Sequence, residues 1–259
     1  MRWRGAVSLV DRAQAMEAFP SVHRAVVERY PGMWPRTPAR WRLDFTDSER
    51  EREGASALFF AVYESPEGTE GYVAYRVKYD WPQGLPSNEI RVRELMATTT
   101  EAYAALWRFC FDMDLAGRVT AWGRPADEPL LHMLLHPRDL RLSVGDGLWL
   151  RLVDVPAALG GRRYASESRL VMEVRDSFCP WNEGRYELDG GPDGSACRRT
   201  RRRPDLLVDV TDLSAVFLGG VRPRTLARAG RVAEAVPGAL ARADAMFGWD
   251  PPPWSAQVF

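Results

Sequence analysis

Glu128, His132 and His136 follow one another at four-residue intervals, which on one continuous helix would align three metal-ligand types on a single face. Pro129 and Pro137 bracket that stretch, and Met133 occupies the place where a zinc hydrolase of this spacing carries its glutamate. The pattern therefore predicts solvated or capping histidines and no metal site. Cys179 could pair with a histidine for nucleophilic catalysis, but it lies in the apolar turn Phe178-Cys179-Pro180-Trp181. That turn offers neither the small residues nor the helix start that would lower a thiol pKa, so a buried structural thiol is expected. Arg198-Arg199-Thr200-Arg201-Arg202-Arg203 concentrates positive charge without interleaved aromatic residues. It reads as a solvated hairpin or a contact for an acidic subunit rather than as a nucleic-acid surface.

A further chemistry would require a loop that is not there. No G-x-G-x-x-G, Walker or Q/R-x-x-G-x-G/A segment follows a strand pattern, and a CoA pyrophosphate needs glycine-exposed backbone N–H groups at a helix N-terminus. The strand-to-helix joint where such a loop belongs, Glu94 to Leu106, reads ELMATTTEAYAAL. Thr98 and Glu101 there form a capping box that claims the free amides for itself. A phosphate site is expected to be closed.

The elements that would carry these residues form an α+β pattern in both halves of the chain. Residues 6–10 read as a strand and 13–29 as a helix. A second helix begins at Pro38 with Thr37 as its N-cap and Trp41 and Phe45 on one face. Residues 47–54 (DSEREREG) suit a solvated loop or frayed helix end. Residues 57–64 and 71–79 form a hairpin around a longer loop. Residues 89–96 form a strand whose alternation slips at Glu94-Leu95, as a bulge makes it do. A helical stripe at Tyr103, Leu106, Trp107, Cys110 and Phe111 follows, then a strand over 118–122. Residues 140–144 and 148–153 are expected to pair around Gly145-Asp146-Gly147. Pro156 opens a helix that Gly160-Gly161 closes, and the domain boundary is placed after residue 161. Four strands are then predicted at 170–175, 185–188, 196–200 and 206–210. Helices follow at 212–218, 223–229 and 238–247. The tail Trp249-Asp250-Pro251-Pro252-Pro253-Trp254 cannot form a regular element.

Composition bounds the rest. The 259 residues are 46% apolar and 27% charged, as in a soluble globular protein. The 35 basic residues cancel the 35 acidic ones, so no global field selects nucleic acid or an anionic membrane. Only Lys78 among the bases is a lysine. Three cysteines without CxxC spacing indicate neither a disulfide framework nor a zinc module. No long apolar window or secretory leader is apparent, and a cytoplasmic location is expected. The ten tryptophans are scattered singly and read mostly as core or interface.

Seven segments in order carry a resemblance to a known family: GYVAYRV (71–77), ELMATTTEAYAALWRF (94–109), DGLWLRLVDVPAAL (146–159), FCPWNEGRYEL (178–188), FLGG (217–220), TLARAGRV (225–232) and the terminal Phe259. Together they resemble the actinobacterial "enhanced intracellular survival" (Eis) family of N-acetyltransferases. The resemblance implies a degenerate GNAT-like mixed-sheet domain (1–161), which does not hold the cofactor, followed by a sterol-carrier-protein-like α+β domain (162–259). It implies an N-terminal catalytic GNAT domain outside this stretch, with acetyl-CoA bound by the full-length enzyme and not by this chain alone. A primary amine is the implied acceptor and a homo-oligomer, a hexamer in the family, the implied assembly. Phe259 matches the terminal residue whose carboxylate acts as general base, partnered by a tyrosine acid of the N-terminal domain. Asp146 matches an acidic residue of the amine pocket. Ser143 and Val258 depart from an aromatic and an acidic family position, which makes the pocket less acidic. The rival expectation is a non-catalytic scaffold whose second domain binds an apolar ligand.

Overall fold

The computed structural model describes residues 3–257. Alternating side chains build the first sheet. In β2 (Phe59–Ser65), Phe60 and Val62 point to one face while Ala61 and Tyr63 point to the other, and every one of them is buried. With β1 (Ala6–Val10), β3 (Gly68–Lys78), β4 (Asn88–Ala97) and β5 (Ala116–Ala121) it forms a five-stranded sheet in sequential order. Pairing is antiparallel except between β4 and β5, which run parallel.

One face is covered by α1 (Arg12–Val27), begun by an Asp11/Gln14 capping box, and by α2 (Pro38–Asp44), which Thr37 caps as expected. Phe19 stacks on Tyr72 at 3.9 Å, and Trp41 on Phe45 at 5.5 Å. The segment expected to be solvated forms α3 (Glu49–Arg52), but Asp47 before it is tied down by Arg52, Arg76 and the Leu58 amide. The other face is covered by α4 (Thr100–Phe111) through Ala102, Leu106, Trp107 and Cys110. Its approach depends on Gly71, where a β-carbon would lie 2.8 Å from Leu106 Cδ1. The β2–β3 connection is tighter than expected, with Ser65 paired directly to Gly68.

The second unit is built on a five-stranded sheet in which residues 232–234, 206–209, 168–175, 184–191 and 194–199 lie side by side in that order. Its elements are α5 (Val155–Gly160), β6 (Ser168–Arg175), β7 (Gly184–Gly191), β8 (Gly194–Arg199), β9 (Leu206–Asp209), α6 (Val210–Val216), α7 (Pro223–Arg228), β10 (Val232–Glu234) and α8 (Ala239–Phe247). The short β10 carries no alternation long enough to be read from sequence, and it forms by antiparallel pairing with β9. Tyr164, Leu170, Tyr186, Leu188, Leu213 and Phe247 lie at the centre of the core. Asp176, fully buried, accepts from the Phe178 and Cys179 amides, from Asn182 and from Arg151, and so pins the turn that holds the buried Cys179.

By packing, the chain divides after Gly147 rather than after residue 161. Pro156 and Gly160-Gly161 do punctuate a helix, but Leu152, Val155 and Leu159 are buried in the second unit's core, so the helix opens that unit. The second unit ends at Pro253, and the described residues from Trp254 onward belong to the first. The hairpin expected around Gly145-Asp146-Gly147 does not form. Residues 141–150 lack strand pairing; Leu142, Val144 and Trp149 are exposed, and the buried Leu152 packs into the second unit's core, so the two runs share no buried face to fix a register.

Candidate functional site

The site is organised by the place where β4 and β5 part. Their parallel pairing runs from Asn88 and Ala116 to Val92 and Ala121 and stops there. Arg93, the next residue of β4, is the extra residue of a bulge: Tyr75 pairs with Val92 and Ala74 with Glu94. The slip predicted from sequence is therefore real and lies one residue earlier. Two parallel strands that separate leave unpaired backbone groups and a cleft between them.

Arg124 fills that opening. Gly123, with φ of +67°, turns the chain out of β5. The side chain that follows donates to the Leu95 carbonyl at 2.6 Å and to Glu128 Oε2 at 2.9 Å. Its guanidinium carbon lies 5.8, 5.6 and 5.4 Å from the ring centres of Tyr103, Trp107 and Trp254. Burial lowers the Arg124 pKa to about 10, which leaves it charged at neutral pH. Burial pushes Glu128 up to about 7, against the Leu130 amide, whose hydrogen bond favours the carboxylate.

The C-terminal tail is seated at the same place. Trp254 is buried, its backbone N–H donates to Pro31 O at 3.0 Å, and its indole N–H donates to Gly123 O at 2.7 Å. Tyr30 packs edge-on against it at 5.1 Å. The tail then passes Gly123, where a β-carbon would lie 3.7 Å from the Ala256 carbonyl, and Gly147, where one would lie 3.7 Å from the Ser255 carbonyl. Asp146, exposed, thus stands one residue from the path of the tail. Phe259 and Val258 lie outside the described residues.

Beneath the bulge lies a buried ionic cluster that sequence reading missed. Glu94 is held by both terminal nitrogens of Arg36 at 2.8 and 2.5 Å and by the Tyr72 hydroxyl at 2.5 Å. Arg36 Nε reaches Asp44 at 2.9 Å, and its guanidinium lies 4.8 Å from the Trp41 ring centre. Burial opposes the charge on Glu94, but Arg36 and Tyr72 outweigh it and hold its pKa below the usual range. Nearby His23 is driven down to about 4, by burial first and by Arg36 second.

The joint expected to be closed to phosphate is occupied by carboxylates. The N-cap of α4 is Thr99, one residue beyond the expected one, and it accepts from the Ala102 amide at 3.2 Å while donating to Glu70 at 3.1 Å. Glu101 does not complete a capping box, because Tyr63 and Arg4 hold it. Negative charge at a helix N-terminus and a filled cleft are the opposite of what a CoA pyrophosphate requires, so the residues present here do not fit that cofactor.

The other candidate residues are dispersed. Glu128 caps the Leu130 amide at 3.2 Å and pairs with Arg124. His132 and His136 are exposed on separate 3₁₀ turns, because Pro129 and Pro137 each begin a new turn. Among the described residues no cluster of histidine, cysteine, aspartate and glutamate could hold a metal ion, and no helix is long and apolar enough to cross a membrane. Arg198 and Arg202 approach the buried Glu187 at 3.4 Å, so the arginine run partly neutralises one carboxylate. Of the ten tryptophans only Trp41, Trp107 and Trp254 are in the core, and the other seven (Trp3, Trp34, Trp81, Trp122, Trp149, Trp181 and Trp249) are exposed, so most are not the core residues expected.

Residues 32–152 match the acetyltransferase (GNAT) domain family, and residues 155–256 match the sterol carrier protein domain family. An uncharacterized N-acetyltransferase of Streptomyces avermitilis is 43% identical over 247 residues, 95% of this chain and 60% of its own length. N-acetyltransferase Eis of Mycobacterium tuberculosis is 31% identical over 258 residues, 98% of this chain and 60% of its own. The crystal structure of Eis1 from Mycobacterium abscessus superimposes with a TM-score of 0.77 at 35% identity, over 99% of this chain and 63% of that one. The chain joins a GNAT acetyltransferase domain to a sterol carrier protein domain and is similar to the Eis N-acetyltransferases. It spans about three fifths of the length of the curated relatives it matches. A GCN5-related N-acetyltransferase from Anabaena variabilis, at 19% identity and a TM-score of 0.81, shares the fold.

Proposed function

We propose that this chain is the part of an Eis-type N-acetyltransferase that supplies the acceptor-pocket wall at Asp146 and the proton-accepting carboxylate of Phe259. The acetyl donor, acetyl-CoA, is held by a GNAT domain elsewhere in the complete protein, and the acceptor is a primary amine. The observation that carries this reading is the seat of Trp254. The tail is anchored within the first unit and leads past Asp146. A residue five positions on cannot lie farther than about 18 Å from that anchor. An α-carboxylate has a reference pKa of about 3.5, and desolvation in a partly closed pocket raises it toward the basicity needed to accept a proton from an ammonium. Asp146, exposed and close to the tail's path, offers that ammonium a counter-charge. Assembly as a homo-oligomer and a cytoplasmic setting complete the reading.

The scaffold alternative needs an apolar-ligand site. The cavity in the second unit lined by Met172, Leu213, Val216 and Phe247 holds only about 20 Å³, close to the room one water occupies. Two measurements test the proposal. Titration of the chain with acetyl-CoA should give no heat, and a micromolar dissociation constant would contradict the division of labour. Adding residues after Phe259 in the acetylating protein should depress turnover, and an unchanged rate would contradict the role given to its carboxylate.

A further inference from the structure

We infer that Arg124 is the positioning residue for the C-terminal tail: by filling the parting of β4 and β5 and lying against Trp254, it fixes the point from which residues 255–259 run. The grip is built from one short segment. Gly123 offers its carbonyl to the indole N–H at 2.7 Å, and the next residue places its guanidinium 5.4 Å from the centre of the same indole. Arg124 is itself fixed in two further directions, by the Leu95 carbonyl at 2.6 Å and by Glu128 at 2.9 Å. Glu128 is held in turn by the Leu130 amide. A planar fork can satisfy two acceptors along its edge while its face meets aromatic rings, whereas a lysine ammonium cannot do both. The bulge at Arg93 and the end of strand pairing at Val92 create the opening this side chain fills. Beside the Gly123 and Pro31 carbonyls, one partly buried cation therefore couples the seat of the tail to the sheet.

The catalytic consequence rests on the proposed function, but the anchoring does not, and the two are tested separately. In the full chain, Arg124→Met should accelerate hydrogen exchange at the Trp254 indole and backbone N–H by at least about tenfold, while the β2–β3 amides keep their protection. Arg124→Lys should recover only part of that protection. Should Arg124→Met also lose protection in the sheet, Arg124→Lys carries the test, since it keeps the charge and most of the volume. Wild-type exchange at Trp254 in a folded variant overturns the inference. Loss of sheet protection in both variants assigns Arg124 to the core alone and overturns it as well. In the acetylating protein, Arg124→Lys should lower kcat by at least about fivefold with KM for the acetyl donor unchanged, because a looser tail dilutes its own terminus. A loosened tail with unchanged kcat upholds the anchoring and overturns the assignment of Phe259 as base.

Discussion

The indole N–H of Trp254 donates to the Gly123 carbonyl at 2.7 Å across 131 positions of sequence. This bond joins the end of the described chain to the turn that leaves β5. Trp254→Ala removes both the bond and a buried ring and should destabilise the first unit by about 3–5 kcal/mol. Trp254→Phe keeps most of the ring, loses the bond, and should cost about 1 kcal/mol. Denaturant midpoints of the two variants check the order.

The Arg36–Glu94 pair carries a different kind of stability. Removing either partner strands a buried charge, so Arg36→Met or Glu94→Leu should each cost about 3–5 kcal/mol. The double substitution should cost clearly less than the sum of the two. A double-mutant cycle in urea shows whether this coupling exists.

His23 makes the first unit sensitive to mild acid. Its folded pKa is depressed to about 4 against 6.5 for the free side chain, so the unfolded chain takes up the proton first. Stability present at pH 7 should be lost as pH falls from about 6.5 toward 4, by about 3 kcal/mol. The Glu94 pKa is depressed as well, so its contribution is lost only below the unfolded carboxylate range, near pH 4.3. His23→Phe should flatten the pH dependence of the urea midpoint between 6.5 and 4 and leave the acid limb in place.

Much of this architecture was legible in the chain. Thr37-Pro38, the α4 stripe and the bulge in β4 each rest on local chemistry that acts before tertiary contacts form. What escaped were features decided by packing. The runs flanking Gly145-Asp146-Gly147 look like a hairpin, yet residues 141–150 stay unpaired. Thr98 and Glu101 look like a capping box, but Tyr63 and Arg4 claim the glutamate. Arg124, Arg36 and Glu94 are ordinary charged residues in sequence, and only the fold brings them to buried partners. The one signal for Arg124 was its place between a glycine and a proline directly after a strand. Of the two site residues that the family resemblance implies, Asp146 stands beside the tail's path, and Phe259 lies outside the described residues.

Under the proposed function, a substitution at Asp146 separates catalysis from folding. Asp146 is exposed and makes no hydrogen bond among those of the described residues, so Asp146→Asn should leave stability within about 0.5 kcal/mol. In the acetylating protein the same substitution should raise KM for a cationic amine and leave KM for the acetyl donor unchanged. Steady-state kinetics with the two substrates varied in turn reads this directly.

The central claim concerns one charge at the end of the tail. Converting the Phe259 carboxylate to a carboxamide by protein ligation keeps its shape and removes its ability to take a proton. At neutral pH, kcat of the acetylating protein should fall by about 100-fold or more, with the Trp254 indole still protected from exchange. A carboxamide protein that turns over at the unmodified rate, with the tail still seated, would contradict the account.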